Sequence, residues 1–267
     1  MQTISSGGTI SYAFGDKNKA SGASISAPNA SDFTWETVVT KNIGLDLGLL
    51  NNRLNMTADI YVRDTKDMLM ASKDLPNVYG ASSPKTNAAN LRTKGWEASI
   101  SWNDSFNLKG KAFHYSVVLG LADNTTKVTK YNNDNKTLGT PYEGQQLGEI
   151  WGYVVDGLFK TDEEAENYPV NQSYVNNILN ISVKSQGLHA GDVKYVDLDG
   201  DNIISPTLSA NDVKDQKVIG NSLPRYTYSV RLAADWNGID FSALLQGVGR
   251  QHWYPNGETS LFWGPYA

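Results

Sequence analysis

The sequence predicts an all-β fold, in which one antiparallel segment of a transmembrane β-barrel carries long extracellular loops. Three observations predict this fold. Six segments alternate apolar and polar residues over roughly the 9 to 11 residues that a strand needs to cross a bilayer. Short turns join the segments into hairpins. Aromatic residues stand at the ends of the apolar faces, where membrane barrels have their interfacial girdles.

The first hairpin shows the alternation most clearly. From Leu54 to Arg63 apolar and polar residues take turns, so one face of a strand is apolar and the other is polar. A tight turn at 50–53 joins this strand to an earlier one at 43–49. The apolar faces of the two strands consist of Ile43, Leu45, Leu47 and Leu49, and of Leu54, Met56, Ala58, Ile60 and Val62.

Two further hairpins follow the same rule. Strands at 96–103 and 112–122 are joined through 104–111. Strands at 226–236 and 239–247 are joined through Asn237-Gly238, which is the strongest short hairpin signal. Their apolar faces include Trp96, Ala98, Ile100 and Trp102, then Tyr115, Val117, Leu119 and Leu121, then Tyr226, Tyr228, Val230, Leu232, Ala234 and Trp236, and finally Ile239, Phe241, Ala243 and Leu245.

The lengths of the connections predict the topology. Short turns alternate with long connections at 64–93 and 123–225, as the short periplasmic turns and long extracellular loops of outer-membrane barrels do. Six strong strands, or eight with weaker ones near Trp35 and Tyr153, would close only a small barrel filled by side chains. We therefore expect a segment of a larger barrel of about 22 strands, because an unpaired edge is not tolerated in hydrocarbon.

This topology divides the chain into five predicted regions. They are a loop or weak strands at 1–34, barrel strands with short periplasmic turns at 35–122, a long extracellular loop region with a possible calcium loop at 123–225, a barrel hairpin at 226–249 and an extracellular loop at 250–267.

Composition narrows the functional classes. The chain has 267 residues, 40% of them hydrophobic, with a net charge of −5 and no cysteine. No run of 18 apolar residues occurs, which excludes a transmembrane helix, and no basic stripe points to nucleic acid. The absence of cysteine excludes disulfides and cysteine-bound zinc. The amino terminus lacks the pattern of a signal peptide, so either the protein is not exported or its beginning is missing, and we favour a truncated chain.

Most of residues 35 to 255 carry short stretches in a distinctive order. They are 42–69, 94–97 (KGWE), 148–159 (GEIWGYVVDGLF), 191–195 (GDVKY), 197–201 (DLDGD), 219–226 (IGNSLPRY) and 241–249 (FSALLQGVG). Each stretch is weak alone, whereas the ordered series is specific. The series resembles the barrel strands of TonB-dependent receptors, specifically the SusC/RagA family.

The resemblance implies an energised importer in the outer membrane of a Gram-negative cell. Members of that family form a large barrel, surrounded by outer-membrane lipid and closed by an amino-terminal plug, and pair with a SusD-like surface lipoprotein. They take up oligosaccharides or peptides with energy relayed by TonB. Against that pattern, this chain is expected to lack the signal peptide, the TonB-interaction segment, the plug domain and the closing carboxy-terminal strands.

An aspartate-rich motif predicts a cation site. Asp197, Asp199 and Asp201 stand at positions 1, 3 and 5 of a sequence similar to the first half of a calcium loop. Asp212 or Asp215 would supply a later carboxylate. The glycine expected at position 6 is shifted to position 4, and position 12 is a leucine. The alternative is an Asp/Asn/Gly turn whose side chains bond their own backbone. Calcium would stiffen the loop.

Aromatic residues in the predicted outer loops are the candidate substrate contacts. Aromatic faces suit sugar rings and peptides, and the alternative is packing against the lipoprotein or the barrel rim. Polar residues facing the lumen are candidates for lining the path of the substrate. The aromatic candidates are Trp151, Tyr153, Trp253, Tyr254 and Trp263, and the lumen candidates are Asp59, Arg63, Glu97 and Arg231.

Catalysis has little support in the sequence. His114, His189 and His252 are scattered without partners at metal or triad spacing, and no Gly-x-Ser-x-Gly elbow occurs. We therefore expect no enzyme. Two alternatives to the transporter remain: a secreted carbohydrate-binding β-sandwich, which should have shorter loops and two sheets sharing a core, and a surface adhesin or structural protein, which should show internal repeats.

Overall fold

The computed structural model describes residues 4–14, 18–25, 34–71, 84–178 and 188–253. Antiparallel strands dominate these ranges, and no helix within them is long and apolar enough to cross a membrane. The strands are β1 (Ile4–Phe14), β2 (Asn18–Ile25), β3 (Thr37–Leu49), β4 (Leu54–Ala71), β5 (Lys85–Leu108), β6 (Lys111–Lys130), β7 (Glu149–Tyr153), β8 (Val155–Leu158), β9 (Val193–Tyr195), β10 (Gln216–Asn221), β11 (Arg225–Trp236) and β12 (Ile239–Arg250), and the helices are α1 (Asp162–Glu166) and α2 (Ser173–Ile178).

Six strands form one antiparallel sheet, which we call the wall, in the order β12-β11-β6-β5-β4-β3. Neighbours in this order are also neighbours along the chain, except that the long connection 131–224 separates β6 from β11. The remaining strands form three two-stranded sheets, β1 with β2, β7 with β10, and β8 with β9. The predicted antiparallel wall is therefore present, with its three hairpins and the β6–β11 contact in register.

The register places the predicted apolar residues on a single face of the wall. One row across all six strands consists of Leu47, Met56, Ile100, Leu119, Val230 and Leu245, and the next consists of Leu49, Leu54, Trp102, Val117, Leu232 and Ala243. No second layer of the described residues packs over this face: on it Ile43 is 73% exposed, Ile60 59% and Leu245 55%. A β-sandwich would bury this face against a second sheet.

The short turns have the geometry that the twist of a hairpin requires. Lys109 and Gly110 connect β5 to β6 with φ of 52° and 81°, and Asn237 and Gly238 connect β11 to β12 with φ of 51° and 80°. Positive φ at both central positions is the type I′ pattern. The turn predicted at 104–111 is thus only two residues long, because the ladder between β5 and β6 continues to Leu108 and Lys111.

Three strands of the wall are longer than the alternation predicted. β4 continues to Ala71 and not 62, β5 spans 24 residues, and β6 continues to Lys130 and not 122. The first long connection is accordingly 72–84 and not 64–93. The physical reason is that both faces meet water beyond the bilayer, so the backbone ladder continues where the hydrophobic pattern stops.

The connection 131–224 contains a small core of its own. Its buried side chains include Phe159 (2% exposed) and Ile204 (0%), together with Tyr142, Ala165 and Val175. The segment predicted near Tyr153 as a weak barrel strand is β7, which pairs with β10 in this region and not with the wall. The weak strand predicted near Trp35 does not form a strand of its own in the described range 34–71. Trp35 lies just before β3 and is 90% exposed.

The same connection is attached to the edge of the wall. β11 pairs with β6 only up to Ala122, which leaves the upper part of β6 without that neighbour. The backbone N–H of Val128 donates to the carbonyl of Gln145 at 2.9 Å, and that of Leu147 donates to Thr126 at 2.9 Å. The segment therefore continues the sheet above the point where β11 begins.

Candidate functional site

The polar face of the wall forms a groove. One row on this face consists of Thr57, Ser99, Gly120, Ser229 and Gln246, and the row above it consists of Asp59, Glu97, Ala122 and Thr227. These residues line a groove of about 330 Å³. Hydroxyl, amide and carboxylate groups therefore face the same space, and they offer both hydrogen-bond donors and acceptors to a polar molecule.

Glycine lets neighbouring side chains pack closely over this face. A Cβ added at Gly120 would lie 2.8 Å from the Oγ of Ser229. A Cβ at Gly95 would lie 2.5 Å from the ring of Tyr61, which occupies the space in front of that glycine. The Tyr61 ring in turn lies 5.9 Å from the guanidinium of Arg63. Side chains of neighbouring strands thus fill the space above the glycines.

The four predicted lumen residues lie on this face. Asp59 and Glu97 are directly opposite each other on β4 and β5, and both line the groove. Arg63 donates from Nε to the Oγ1 of Thr40 at 3.4 Å. Arg231 pairs in register with Val118 and Leu244. Since like charges opposite each other repel, this pair gives the groove a local excess of negative charge.

A buried ion pair fixes the point where the long connection returns to the wall. Arg225 donates from Nε and Nη2 to the two carboxylate oxygens of Asp123, each at 2.5 Å. The backbone N–H of Tyr226, which has a φ of 55°, donates to the same carboxylate at 3.3 Å. Asp123 is 8% exposed. A bidentate pair of this kind determines geometry as well as charge.

Two of the predicted aromatic contacts are half-buried in β7 and have partners inside the protein. Trp151 donates from Nε1 to the carboxylate of Glu149 at 2.9 Å, and the hydroxyl of Tyr142 donates to the same oxygen. Tyr153 packs edge-on against Tyr195 with ring centroids 5.6 Å apart. Burial, followed by the nearby tyrosine and aspartate groups, raises the pKa of Tyr153 to about 12.

The other aromatic candidates lie at the end of the described chain. Trp253 is 82% exposed, so its indole face is available to a ligand or to another protein. Tyr254 and Trp263 lie outside the described residues. Next to Trp253, His252 accepts a hydrogen bond at Nδ1 from the backbone N–H of Asn221 at 3.2 Å. The structure therefore leaves Trp253 as the predicted aromatic most accessible to substrate among the described ones.

The aspartate-rich motif forms a compact turn. Asp197 accepts hydrogen bonds from the backbone N–H groups of Gly200 (2.7 Å) and Asn202 (2.8 Å). Asp201 accepts one from Ile203 at 2.7 Å. The backbone N–H of Asn202 holds the pKa of Asp197 below its usual value. Burial opposes this effect, and the backbone N–H of Gly200 adds to it. The side chains thus stabilise the turn that the alternative interpretation predicted.

Three carboxylates converge at this turn. Oxygen atoms of Asp197, Asp199 and Asp215 lie within 4.8 Å of one another, and this is the metal-capable cluster of the described ranges. Asp215 is fully buried and accepts from the backbone N–H groups of Leu198 (2.8 Å) and Ser205 (2.7 Å). Asp201 and Asp212 lie outside the cluster, and Lys214 places its Nζ 3.3 Å from Asp199.

The histidines do not come together. His114 lies on the wall opposite Asp235, and His189 places Nδ1 3.6 Å from the carboxylate of Asp162. Sequence reasoning missed the Asp123–Arg225 pair and the role of Glu149, whose carboxylate accepts hydrogen bonds from Trp151 in the same strand and from Tyr142. No local signal marks the first of these pairs, because 102 residues separate its members.

Taken together, one lipid-facing apolar face, one polar face with a groove and long connections at one end define a segment of an outer-membrane β-barrel. The family comparison agrees: the model of the TonB-dependent receptor-like β-barrel matches residues 3–267. The chain therefore belongs to the TonB-dependent receptor β-barrel family, which confirms the family resemblance in the sequence and the outer-membrane location. This is a family of receptors and not of enzymes.

Curated relatives come from Formosa agariphila. TonB-dependent receptor P39 is 30% identical over 245 residues, which are 80% of this chain and 22% of the relative. TonB-dependent receptor P26 is 24% identical over 261 residues, or 90% of this chain and 24% of the relative. The chain thus spans about a quarter or less of the length of the curated relatives it matches.

Solved structures share the fold. A chain of the RagAB peptide importer in its open-open state matches with a TM-score of 0.62 and 20% identity over 93% of this chain and 23% of that chain. A second structure of the RagAB peptide transporter matches with a TM-score of 0.60 and 18% identity, over 92% of this chain and 23% of that one. At 18–20% sequence identity, this structural similarity shows a shared fold.

Proposed function

We propose that this chain forms part of the barrel of a TonB-dependent importer that takes up oligosaccharides or peptides together with a SusD-like surface lipoprotein. The observation that carries the proposal is the division of the wall into an apolar face and a grooved polar face, in register over six strands. A polar lumen is what a hydrated substrate requires. The curated relatives and the RagAB importer support the same class.

The partners follow from the same proposal. TonB would act through an amino-terminal segment of the whole receptor, and the lipoprotein would cover the opening on the side of the long connections. In this proposal the exposed indole of Trp253 and the connection 131–224 would meet that lipoprotein or the substrate, since both lie on this side. The aromatic pair Trp151 and Tyr153 would act indirectly, by holding β7 in place.

The test uses the full-length receptor that contains this chain, in cells. Tryptophan at both Ser99 and Ser229 would fill the groove of the polar face and should reduce uptake of labelled oligosaccharide or peptide at least about tenfold, since the groove is no larger than a small ligand site. The matched control places tryptophan at Ile100, which faces lipid. Equal uptake by the groove variant and the wild type would contradict the proposed path.

Purification of the native receptor tests the partners separately. We expect a polypeptide of roughly 100 kDa, the scale of a barrel of about 22 strands with a plug, to co-purify with a surface lipoprotein. Uptake should stop in cells without TonB. A species of 29 kDa that stays in buffer without detergent and without a partner would contradict the importer and favour a secreted module.

We also propose that the aspartate cluster binds calcium. The support is that Asp197, Asp199 and Asp215 bring oxygen donors within 4.8 Å of one another, and carboxylates keep lone pairs free beside their hydrogen bonds to the backbone. Calcium would have to displace the ammonium of Lys214 from Asp199. The cation would then connect the turn to β10, because Asp215 directly precedes that strand.

Calcium addition tests this second proposal. Proteolysis of the connection 131–224 should slow down when millimolar calcium is added to the wild-type receptor, and it should not respond in an Asp199→Asn variant. Asp212→Asn is the matched control, because that carboxylate lies outside the cluster. If the wild type shows no response, the motif is a hydrogen-bonded turn.

A further inference from the structure

A basic band lies on the lipid-facing side of the wall, directly above the apolar residues. On this face the row Ile43, Ile60, Trp96 and Asp123, the last paired with Arg225, is followed, two residues further toward the long connections, by Lys41, Val62, Lys94 and Thr125. The next row consists of Val39, Asp64, Arg92 and Lys127. Lys66 follows on β4, with the same side-chain parity as Ile60.

The band carries excess positive charge. Arg92 is neutralised by Asp64 through two hydrogen bonds of 2.6 and 3.1 Å. Lys41, Lys66, Lys94 and Lys127 are exposed, and none of them forms an ion pair with the residues that the structure describes. At the same height the opposite face presents Thr40, Arg63, Thr93 and Thr126. The charge is therefore concentrated on the lipid side.

The position of the band corresponds to the headgroup layer. Two residues of a strand rise about 6.6 Å, and strands of membrane barrels tilt by roughly 40°, so the Lys94 row lies about 5 Å above the Trp96 row. Aromatic residues mark the edge of the hydrocarbon, and lysine stems reach from there to the polar layer. The long connections identify this edge as the outer leaflet.

A groove adjoins the band. It has a volume of about 440 Å³ and is lined by Lys127, Arg225, Arg250 and His252 as well as by Glu149. The carboxylate of Glu149 accepts bonds from Trp151 and Tyr142, and that of Asp123 is paired with Arg225. Lys127 and Arg250 form no ion pair with described residues and lie at the same groove, which suits an anionic group of the size of a phosphate.

We propose that the band formed by Lys41, Lys66, Lys94 and Lys127 binds the phosphorylated headgroups of outer-leaflet lipids. The apolar face already defines a lipid contact, the band lies above it on the same face, and phosphate provides the complementary charge. Headgroup binding would fix the height and tilt of this part of the barrel. The proposal concerns lipid and is independent of the substrate that the receptor imports.

The test measures binding of lipid A, a lipid with two phosphates, to the detergent-solubilised full-length receptor. The triple variant Lys41→Gln, Lys94→Gln, Lys127→Gln should bind lipid A about 100-fold more weakly, the scale of three lysines at an anionic membrane surface. The same three positions changed to arginine should retain the affinity. A matched control, Lys109→Gln, Lys160→Gln, Lys217→Gln, removes three exposed charges elsewhere and should leave it unchanged.

Dephosphorylated lipid A separates the headgroup from the acyl chains, and inorganic phosphate separates a lipid from a free anion. The wild type should bind the dephosphorylated lipid about as weakly as the triple glutamine variant does. If that variant does not fold, as judged by its thermal transition in detergent, Lys94→Gln alone should lower the affinity about fivefold. Three outcomes would each overturn the proposal. The folded glutamine variant could bind lipid A with unchanged affinity, the control could lose as much affinity as that variant, or inorganic phosphate could displace lipid A completely.

Discussion

The wall and the connection 131–224 use apolar residues in opposite ways. In the wall they point away from the protein, as Ile43 with 73% exposure shows, whereas in the connection Phe159 is 2% and Ile204 0% exposed. The wall is held by its backbone ladder and the surrounding lipid, because hydrocarbon offers no other partner for N–H and C=O groups. The connection is held by a buried core in water. One chain therefore folds in two solvents.

Removing the largest fully buried side chain of the connection should have the largest effect. Phe159 packs edge-on against Tyr168 with ring centroids 5.1 Å apart. Phe159→Ala should destabilise the connection by about 4 kcal/mol, through lost burial and the cavity left behind. Amide hydrogen exchange of 131–224 measures this effect, with the wall as internal reference. Leu158→Ala, at a position that is 56% exposed, is the control. Equal effects of both variants would contradict the separate core.

A charge on the lipid-facing side of the wall should be the next most costly change. Ile100 lies in the middle of the apolar face, and Ile100→Arg should destabilise the wall by about 3 kcal/mol, since arginine at the bilayer midplane is expensive. The neighbouring variant Ser101→Arg points to the lumen and should cost little. Urea unfolding in lipid vesicles measures both. A larger effect at Ser101 would mean that the two faces are assigned the wrong way round.

The buried carboxylate of the connection should matter less than its apolar core. Asp215 accepts hydrogen bonds from the backbone N–H groups of Leu198 and Ser205. Asp215→Asn should cost about 2 kcal/mol, because an amide replaces one acceptor oxygen by a donor and leaves a buried N–H without a partner. Hydrogen exchange at 198 and 205 should rise above that of the rest of the connection. If exchange rose equally over the whole connection, the two hydrogen bonds assigned to Asp215 would not be the cause.

Lowering the pH should have the smallest effect on stability. The pKa of Asp197 is held below its ordinary value of 3.8, chiefly by the backbone N–H of Asn202. Its contribution to stability is therefore complete above that ordinary value and is lost as the pH falls through the lower folded-state pKa. The connection should open at a higher pH than the wall in an acid titration followed by proteolysis with an acid protease.

The control for the acid titration is Asp197→Asn. In this variant the group that titrates is absent, so the difference between connection and wall below pH of about 4 should become smaller. The calcium proposal adds a second check, because a bound cation would shift the opening of the connection to lower pH. An unchanged titration curve in the variant would mean that other carboxylates govern the acid response.

The sequence by itself determined the wall. The signals are local: the alternation from Leu54 to Arg63, the Asn237-Gly238 turn and the aromatic residues at the strand ends. The bilayer enforces the alternation, because residues that face the hydrocarbon must be apolar. Strand ends were predicted too short where β4, β5 and β6 leave the lipid, since the lipid no longer constrains either face there. The motifs that resemble the family lie mostly within these constrained segments.

Only the tertiary structure decided which residues act together. The pairing of Asp123 with Arg225 depends on how the connection 131–224 returns to the wall. The convergence of Asp215 on Asp197 and Asp199 depends on how that connection folds on itself. The basic band likewise needed the register, because its four lysines lie on four separate strands, β3 to β6. Local periodicity assigns each residue to a face, whereas contacts across strands depend on the register and on the path of the long connection.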